Sequence, residues 1–102
     1  MKIEPHAKAA AIIQYYGAEH QLVKLCEECG ELIQQAAKCV DKGTDYNEGM
    51  IEEMADVCIM IMQFMSILPR ANYALFRQTI REKLDRQIRR IESEDADDSG
   101  TA

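Results

Sequence analysis

The segment from Val57 to Leu68 constrains the fold most, because it is apolar on nearly every face of a helix. Gln63 and Ser66 are the mild exceptions. A helix that is apolar on all sides is normally buried on all sides. No apolar run reaches the roughly 18 residues of a transmembrane helix, since Asp56 and Gln63 interrupt the best stretch. We therefore expect other helices or another subunit to cover this segment.

The remaining chain predicts helices and no strands, because no segment alternates polar and apolar residues between turn residues. Gly17, Gly43 and Pro69 mark the ends of the first three helical patterns. Either Asp45 or Asn47 is expected to be the N-cap of the third helix. The predicted helices cover residues 6–16, 18 or 19 to 41, 45–47 to 68, and 72–93. Their apolar faces are a stripe on the second (Leu22, Leu25, Cys26, Cys29, Leu32, Ile33, Ala36 and Val40), a face on the third (Met50, Ile51, Met54, Ala55 and Cys58) and a buried face on the fourth (Ile80, Leu84, Ile88 and Ile91). This order of helices predicts an all-α, four-helix bundle-like domain.

The charge distribution divides the chain into a domain over residues 1–92 and an acidic tail over residues 93–102. Five acids and no base lie between Glu92 and Asp98, and removing them from the 18 acids leaves 13 against 12 Lys and Arg. Such a charged end is typically solvated and disordered. The nearly neutral body favours neither a nucleic acid nor a membrane as partner. A domain this small gains stability from self-association.

The four cysteines are predicted to be reduced and to pack as small apolar side chains. Cys26 and Cys29 form a CxxC inside a helical pattern, whereas a redox CxxC follows a strand. A zinc site would need a second matched pair, which the sequence lacks. The chain begins without a signal peptide, so we expect a reducing cytoplasm.

Two pairs of acids lie on successive predicted helices, Glu28 with Glu31 and Glu53 with Asp56. The i, i+3 spacing puts both carboxylates of a pair on one side of the helix. If the two helices pack antiparallel, four carboxylates converge, and their repulsion requires a cation. Mg²⁺ prefers oxygen ligands of this kind. A solvated acidic face is the alternative, and it fits the first pair better than the second, which adjoins the apolar segment. The side of the third helix that carries Glu53 and Asp56 is therefore expected to face protein.

Basic residues offer phosphate contacts on two helices. Lys24 and Lys38 share the acid-bearing side of the second helix. Lys83 and Arg86 have i, i+3 spacing on the last helix and can reach one place, where they would hold phosphates opposite a metal–carboxylate cluster. Charge balance or a solvated basic face is the alternative for each. Glu27 is either a surface charge or a residue that supports the site.

These motifs resemble the MazG-like nucleotide pyrophosphohydrolases, within the all-α NTP pyrophosphatase superfamily. The family pattern is ExxE, a gap, then ExxD, and here it lies in LCEECGELIQQAAK and EEMADVCIMIMQF. YYGAEHQLVK before these segments and REKLDRQIRRIE after them extend the resemblance. It covers residues 10–92, nearly the whole domain.

The resemblance implies a Mg²⁺-dependent enzyme, with Mn²⁺ as a substitute, that hydrolyses a nucleoside triphosphate to a monophosphate and pyrophosphate. The four paired acids would be the metal ligands, and Lys83 and Arg86 would contact phosphates. A metal-activated water would attack in line, with Glu27 or a ligand carboxylate such as Glu28 or Glu53 as proton acceptor. Family members form dimers or tetramers, so we expect a homodimer or homotetramer that associates through the apolar third helix.

Two other functions fit the same residues. The chain could be a non-catalytic helical interaction or nucleotide-sensing module that retains the fold. It could also be a superfamily enzyme for phosphoribosyl-ATP, dUTP or dCTP, although it lacks the longer helical insertions of dimeric dUTPase-type members. The aromatic residues leave the preferred base open; they are Tyr15, Tyr16, Tyr46, Phe64, Tyr73 and Phe76.

Overall fold

A computed structural model describes residues 5–42 and 48–100 of the chain. They form four α-helices, namely α1 (Pro5–Tyr16), α2 (Ala18–Lys42), α3 (Glu48–Ile67) and α4 (Arg70–Gly100). No strand occurs in these residues, so the all-α prediction is confirmed. The predicted helix bounds agree to within a few residues except at the end of α4. The predicted turn at Gly43 and the N-cap at 45–47 lie outside the described residues.

Contacts between residues divide the chain into two compact units, Met1–Ile67 and Leu68–Ala102. The division follows the end of α3, and the predicted single domain over residues 1–92 stays a prediction. Pro69 lies at this boundary, since it cannot continue α3. Its carbonyl oxygen accepts hydrogen bonds from the backbone N–H groups of Asn72 (3.0 Å) and Tyr73 (3.1 Å), which begins α4.

In the first unit, α2 and α3 pack antiparallel with a defined register. The Gln21 side chain contacts Gln63, and Glu28 and Glu31 meet Asp56 and Glu53 further along. Near the other end, a Cβ on Gly49 would overlap the side-chain amide of Gln35. Contacts between the two helices thus recur every seven residues. Gln21, Glu28 and Gln35 on α2 lie opposite Gln63, Asp56 and Gly49 on α3, respectively, which is the spacing of an antiparallel helix pair.

The face of α2 that points into the unit is polar, contrary to the predicted burial of its apolar stripe. Gln21 and Glu28 are buried, whereas Ile33 is 69% and Val40 82% exposed. The stripe was predicted from Leu22, Leu25, Cys26, Cys29, Leu32, Ile33, Ala36 and Val40. The stripe is only partly covered, because the contacts to α3 run along one edge of it. Leu25, Cys29, Leu32 and Ala36 are half-buried, whereas Leu22, Cys26, Ile33 and Val40 are exposed.

The same inversion occurs on α3. Ile51 is 65% and Met54 51% exposed, although both belong to its predicted apolar face, while Met60 and Gln63 are buried. The prediction that the acid-bearing side faces protein is therefore confirmed. The prediction of burial on every side is wrong within one chain, because α1 and α2 cover only the inward side; Ile59, Ile61, Ile67 and Leu68 stay exposed.

The long helix α4 belongs to the second unit, and its residues 70–97 are exposed except for the half-buried Thr79. Its predicted buried face is about half exposed, at Ile80, Leu84, Ile88 and Ile91. The helix continues to Gly100, through the acidic run for which the sequence predicts a disordered tail. Neither Gly nor Pro occurs between Pro69 and Gly100, so no residue of either type interrupts the helical hydrogen bonds.

Two of the four cysteines depart from the predicted packing. Cys39 is buried and Cys29 half-buried, whereas Cys26 and Cys58 are exposed on the outward sides of α2 and α3. Within residues 5–42 and 48–100, none of the helices combines the length and apolar character that crossing a bilayer requires.

Gly17 is the single residue between α1 and α2, and its φ is 90°, in the left-handed region. Its N–H donates to the carbonyl oxygen of Ile13 (2.8 Å) and closes α1, as the sequence predicts. Its own carbonyl oxygen accepts from the N–H of Gln21 (3.1 Å) and opens α2. The turn therefore fixes where Gln21 enters the contact with α3.

We expect Gly17→Ala to lower the free energy of unfolding by about 1–2 kcal/mol, because a Cβ strains a residue with positive φ. Gly30→Ala is the matched control. Gly30 lies within α2 with open space around it, so alanine there should add about 0.5–1 kcal/mol through helix propensity. Urea unfolding followed by circular dichroism measures both. Equal effects of the two substitutions would contradict the role of the Gly17 turn.

Candidate metal centre

The antiparallel packing of α2 and α3 brings the two acid pairs together. One oxygen from each of Glu28, Glu31, Glu53 and Asp56 lies within 4.8 Å of the others. The i, i+3 spacing aims each pair at one side of its helix, and the heptad register sets the pairs opposite each other. The sequence-predicted convergence of these four carboxylates is thus present in the structure.

The cluster is partly removed from water. Glu28 is only 8% exposed, Glu53 and Asp56 are half-buried, and Glu31 is exposed at the rim. Two buried oxygens, Oε2 of Glu28 and Oε2 of Glu53, have no hydrogen-bond partner among residues 5–42 and 48–100. Buried carboxylate oxygens are normally paired, since desolvating an unpaired charge is costly. Both oxygens are therefore suited to accept a cationic ligand.

Lys24 is the cation beside the cluster. Its Nζ lies 3.3 Å from Oε1 of Glu28 and 3.5 Å from Oε2 of Glu27. The hydrogen bond to Glu28, with the attraction of Glu28 and Glu27, raises the pKa of Lys24 above its usual value. Lys24 thus stays charged, but it contacts Oε1 of Glu28 and leaves Oε2 without a partner.

The crowding of negative charge raises the pKa of Glu31 above its ordinary value of 4.5. Repulsion by the Glu28 carboxylate is the largest cause. Desolvation, a hydrogen bond with Glu28 and repulsion by Glu53 act in the same direction, and Lys24 opposes them. Glu31 therefore binds a proton more readily in the folded chain, as expected where the cluster lacks positive charge.

The residues fit a hard divalent cation. All four candidate ligands are carboxylates on neighbouring turns of two packed helices, and two of their oxygens lack any other partner. Carboxylate oxygens suit Mg²⁺, Mn²⁺ or Ca²⁺, whereas zinc and copper favour nitrogen and sulfur ligands. The cluster can therefore bind a metal ion through oxygen atoms from both helices.

A cleft of about 600 Å³ opens beside the cluster, between α1, α2 and α3. Glu28, Asp56, Glu27 and Lys24 line one end of it. Its other end is lined by aromatic, amide and aliphatic side chains, among them Ile12, Tyr16, His20, Gln21, Ile59, Met60 and Gln63. A ligand in this cleft would therefore meet the acids at one end and rings and amides at the other.

The amides in this cleft were missed by the sequence reasoning. Gln21 and Gln63 are both buried, and Nε2 of Gln21 donates to Oε1 of Gln63 at 2.7 Å. The acids were predicted from the repulsion of their converging charges, and neutral amides have no such charge. Their heptad spacing from Glu28 and Asp56 was the available signal, since it places Gln21 and Gln63 on the acid-bearing faces.

The other predicted site residues are exposed. Glu27 lines the cleft and pairs with Lys24, while Lys38 lies two turns beyond Glu31 on α2. Lys83 and Arg86 lie one turn apart on α4, in the second unit. Phosphate contacts by Lys38, Lys83 and Arg86 stay a prediction.

Comparisons with protein-family models, with curated proteins and with solved structures gave no significant match. The resemblance to MazG-like enzymes therefore stays an expectation from motifs.

The raised pKa of Glu31 predicts how acid affects the metal-free protein. Because its pKa is raised in the folded chain, Glu31 binds a proton more tightly there than in the unfolded chain. At neutral pH Glu31 is ionised, and its ionisation therefore lowers the free energy of unfolding. This destabilisation disappears as pH falls towards 4.5. Without metal at pH 7, Glu31→Gln should therefore melt at a higher temperature than the parent chain, and the difference should shrink on acidification.

Melting curves recorded in EDTA between pH 7 and pH 4.5 measure this difference. Glu52→Gln is the control, because Glu52 is an exposed acid on α3 outside the cluster. If the difference in melting temperature between Glu31→Gln and the parent chain stayed constant across this range, ionised Glu31 would not be repelled by the other acids of the cluster. Mg²⁺ should raise the melting temperature of the parent chain and raise that of Glu31→Gln less.

Proposed function

We propose that the chain is a Mg²⁺-dependent nucleoside triphosphate pyrophosphohydrolase, which converts a (d)NTP to the (d)NMP and pyrophosphate. The observation that carries the proposal is that Glu28 and Glu53, two members of the four-carboxylate cluster, each have a buried oxygen without a hydrogen-bond partner among the described residues. Oxygens in this state bind a hard cation well. The cleft beside them provides room for an organic ligand attached to the phosphates.

Hydrolysis of a phosphoanhydride depends mainly on positioning and charge neutralisation. When bound, the cation supplies the neutralising charge and the activation of a water. Glu28, Glu31, Glu53 and Asp56 would hold it, and the rigid pairing of α2 with α3 keeps their oxygens in place before substrate arrives.

The residues around the cluster have separate proposed roles. Lys24 lies at the cleft end nearest the acids and carries a full charge, so it would contact a substrate phosphate. Glu27 is within reach of Lys24 and open to solvent, so it would accept the proton that an attacking water loses. Lys38, and Lys83 with Arg86 on α4, would add phosphate contacts.

We also propose that the chain forms a homodimer or homotetramer through the outward side of α3. Ile51, Met54 and Ile61 on this side are exposed, and the outward stripe of α2 adds Leu22, Ile33 and Val40. Contiguous apolar surface on this scale typically marks an association surface. A second copy would cover the segment that the sequence predicts to be buried.

The substitution Glu53→Gln tests the activity most directly. It keeps the size of the side chain and removes the charge of one unpartnered oxygen, so pyrophosphate release should fall by at least about a hundredfold, as for other losses at metal sites. Glu52→Gln changes the preceding acid on the exposed side of α3 and should retain activity. Each (d)NTP is incubated with Mg²⁺ and pyrophosphate is measured, with circular dichroism to confirm the helices.

Two outcomes would contradict the proposal. Glu53→Gln could release pyrophosphate as fast as Glu52→Gln. That result would show that the acidic cluster takes no part in hydrolysis. The parent chain could instead bind Mg²⁺ and a non-hydrolysable nucleotide without releasing pyrophosphate from any (d)NTP. That result would favour the non-catalytic nucleotide-sensing module.

The proposed association predicts a change in mass. Ile51→Lys should convert the oligomer to a monomer, because it places a charge in the centre of an apolar contact. Gln34→Lys adds the same charge at an exposed polar position on α2 and should leave the mass unchanged. Sedimentation velocity measures both. A parent chain that sediments as a monomer at high protein concentration would exclude the oligomer.

A further inference from the structure

The proposed metal site accounts for the acidic end of the cleft, but it assigns no role to the residues at the other end. That end contains a stacked pair of rings, since Tyr16 and His20 lie with centroids 5.0 Å apart and an interplanar angle of 15°. Both rings are exposed and both line the cleft. Planar faces open to a cleft can stack a further flat ring, an interaction that tolerates many heterocycles.

A chain of hydrogen bonds leads from these rings into the protein. Nδ1 of His20 lies 2.7 Å from Oε1 of Gln21, and because that oxygen only accepts, Nδ1 carries the proton. Nε2 of Gln21 donates to Oε1 of Gln63, and Nε2 of Gln63 donates at 3.4 Å to the sulfur of Met60. The orientation of His20 is therefore held by two buried amides.

The last donor in this chain has a poor acceptor. A thioether sulfur accepts hydrogen bonds weakly, and an amide nitrogen has two N–H groups to place. Gln63 is 2% exposed and lines the cleft, so its amide can meet a ligand only there. A carbonyl or ring nitrogen on the edge of a heterocycle would satisfy the amide better than the sulfur does.

The spacing of the two ends suits one molecule. His20, Lys24 and Glu28 follow each other at i, i+4 steps along α2 and all line the cleft. At 1.5 Å per residue, about 12 Å of helix separates His20 from Glu28. This length resembles that of an extended nucleotide, with a base at one end and charged phosphates at the other.

We infer that Tyr16, His20 and the Gln21–Gln63 amide pair form the subsite for the heterocyclic base of the substrate. The base stacks on the Tyr16–His20 pair, and the amide edge of Gln63 hydrogen-bonds to it. The phosphates then extend towards Lys24 and the acids. This inference rests on the proposed function for the identity of the ligand, and on the ring and amide geometry for its place.

Binding measurements test the subsite without relying on turnover. The full chain, labelled with ¹⁵N, is titrated with AMP, GMP, CMP and UMP in the presence of Mg²⁺, and with ribose 5-phosphate as a probe that lacks the base. At least one nucleotide should bind about tenfold or more tightly than ribose 5-phosphate, the size expected from stacking one base. It should also shift the His20 ring and Gln63 side-chain amide resonances.

Three substitutions separate a base contact from a change in folding. Tyr16→Ala should remove the tenfold preference for the nucleotide, and Tyr16→Phe should keep it, because the ring remains. Tyr15→Ala removes a neighbouring ring that is 82% exposed, meets Tyr16 by its edge and does not line the cleft, so the preference should persist. Matched losses in Tyr16→Ala and Tyr15→Ala would overturn the inference.

The outcomes also distinguish this inference from the proposed activity. Pyrophosphate release by a chain that binds every nucleotide and ribose 5-phosphate equally would overturn the base subsite alone. Base-selective binding with the expected resonance shifts, in a chain that releases no pyrophosphate, would keep the subsite and overturn the hydrolysis. Shifts confined to residues near Glu28 would likewise exclude a base at the Tyr16 end.

Discussion

The contact between α2 and α3 is built from polar side chains, and the rest of the first unit follows from it. Gln21 meets Gln63 at one end, the four acids meet in the middle, and Gln35 approaches Gly49 at the other end. Carboxylates in such a contact repel each other, and Lys24 neutralises only part of their charge. The packing of the two helices is therefore least favourable without a cation, and a bound cation would stabilise the fold and the site together.

The inward polar faces also explain the exposed apolar ones. A helix with one polar and one apolar flank cannot bury both against a single neighbour. Because α2 and α3 turn their acids towards each other, Ile33, Val40 and Ile51 must point outward. Burial of apolar surface is the main favourable contribution to folding and association. The orientation of α2 and α3 therefore accounts both for the acidic cluster between them and for the apolar outward surface through which copies of the chain are proposed to associate.

Local signals in the sequence predicted the helices and the acids well. Gly17 and Pro69 end helices through their own backbone geometry, and an i, i+3 pair shares a side of any helix it lies on. The orientation of each helix depends instead on which flank its neighbour contacts. The rule that apolar residues are buried therefore held for only part of the α2 stripe, and the contact between the uncharged Gln21 and Gln63 was not predicted. The continuation of α4 past Ser93 was missed because acidic composition was weighed above the absence of Gly and Pro.

The register between α2 and α3 links the two ends of the cleft. Heptad steps separate Gln21 from Glu28 on one helix and Gln63 from Asp56 on the other. A slip of one helical turn, about 5.4 Å, would break the amide hydrogen bond and separate the acid pairs at the same time. The Gln21–Gln63 bond therefore holds the acids in position from about two turns away. A ligand that contacts Gln63 would strengthen the same register, so occupation of the ring end favours the arrangement of carboxylates that binds a cation.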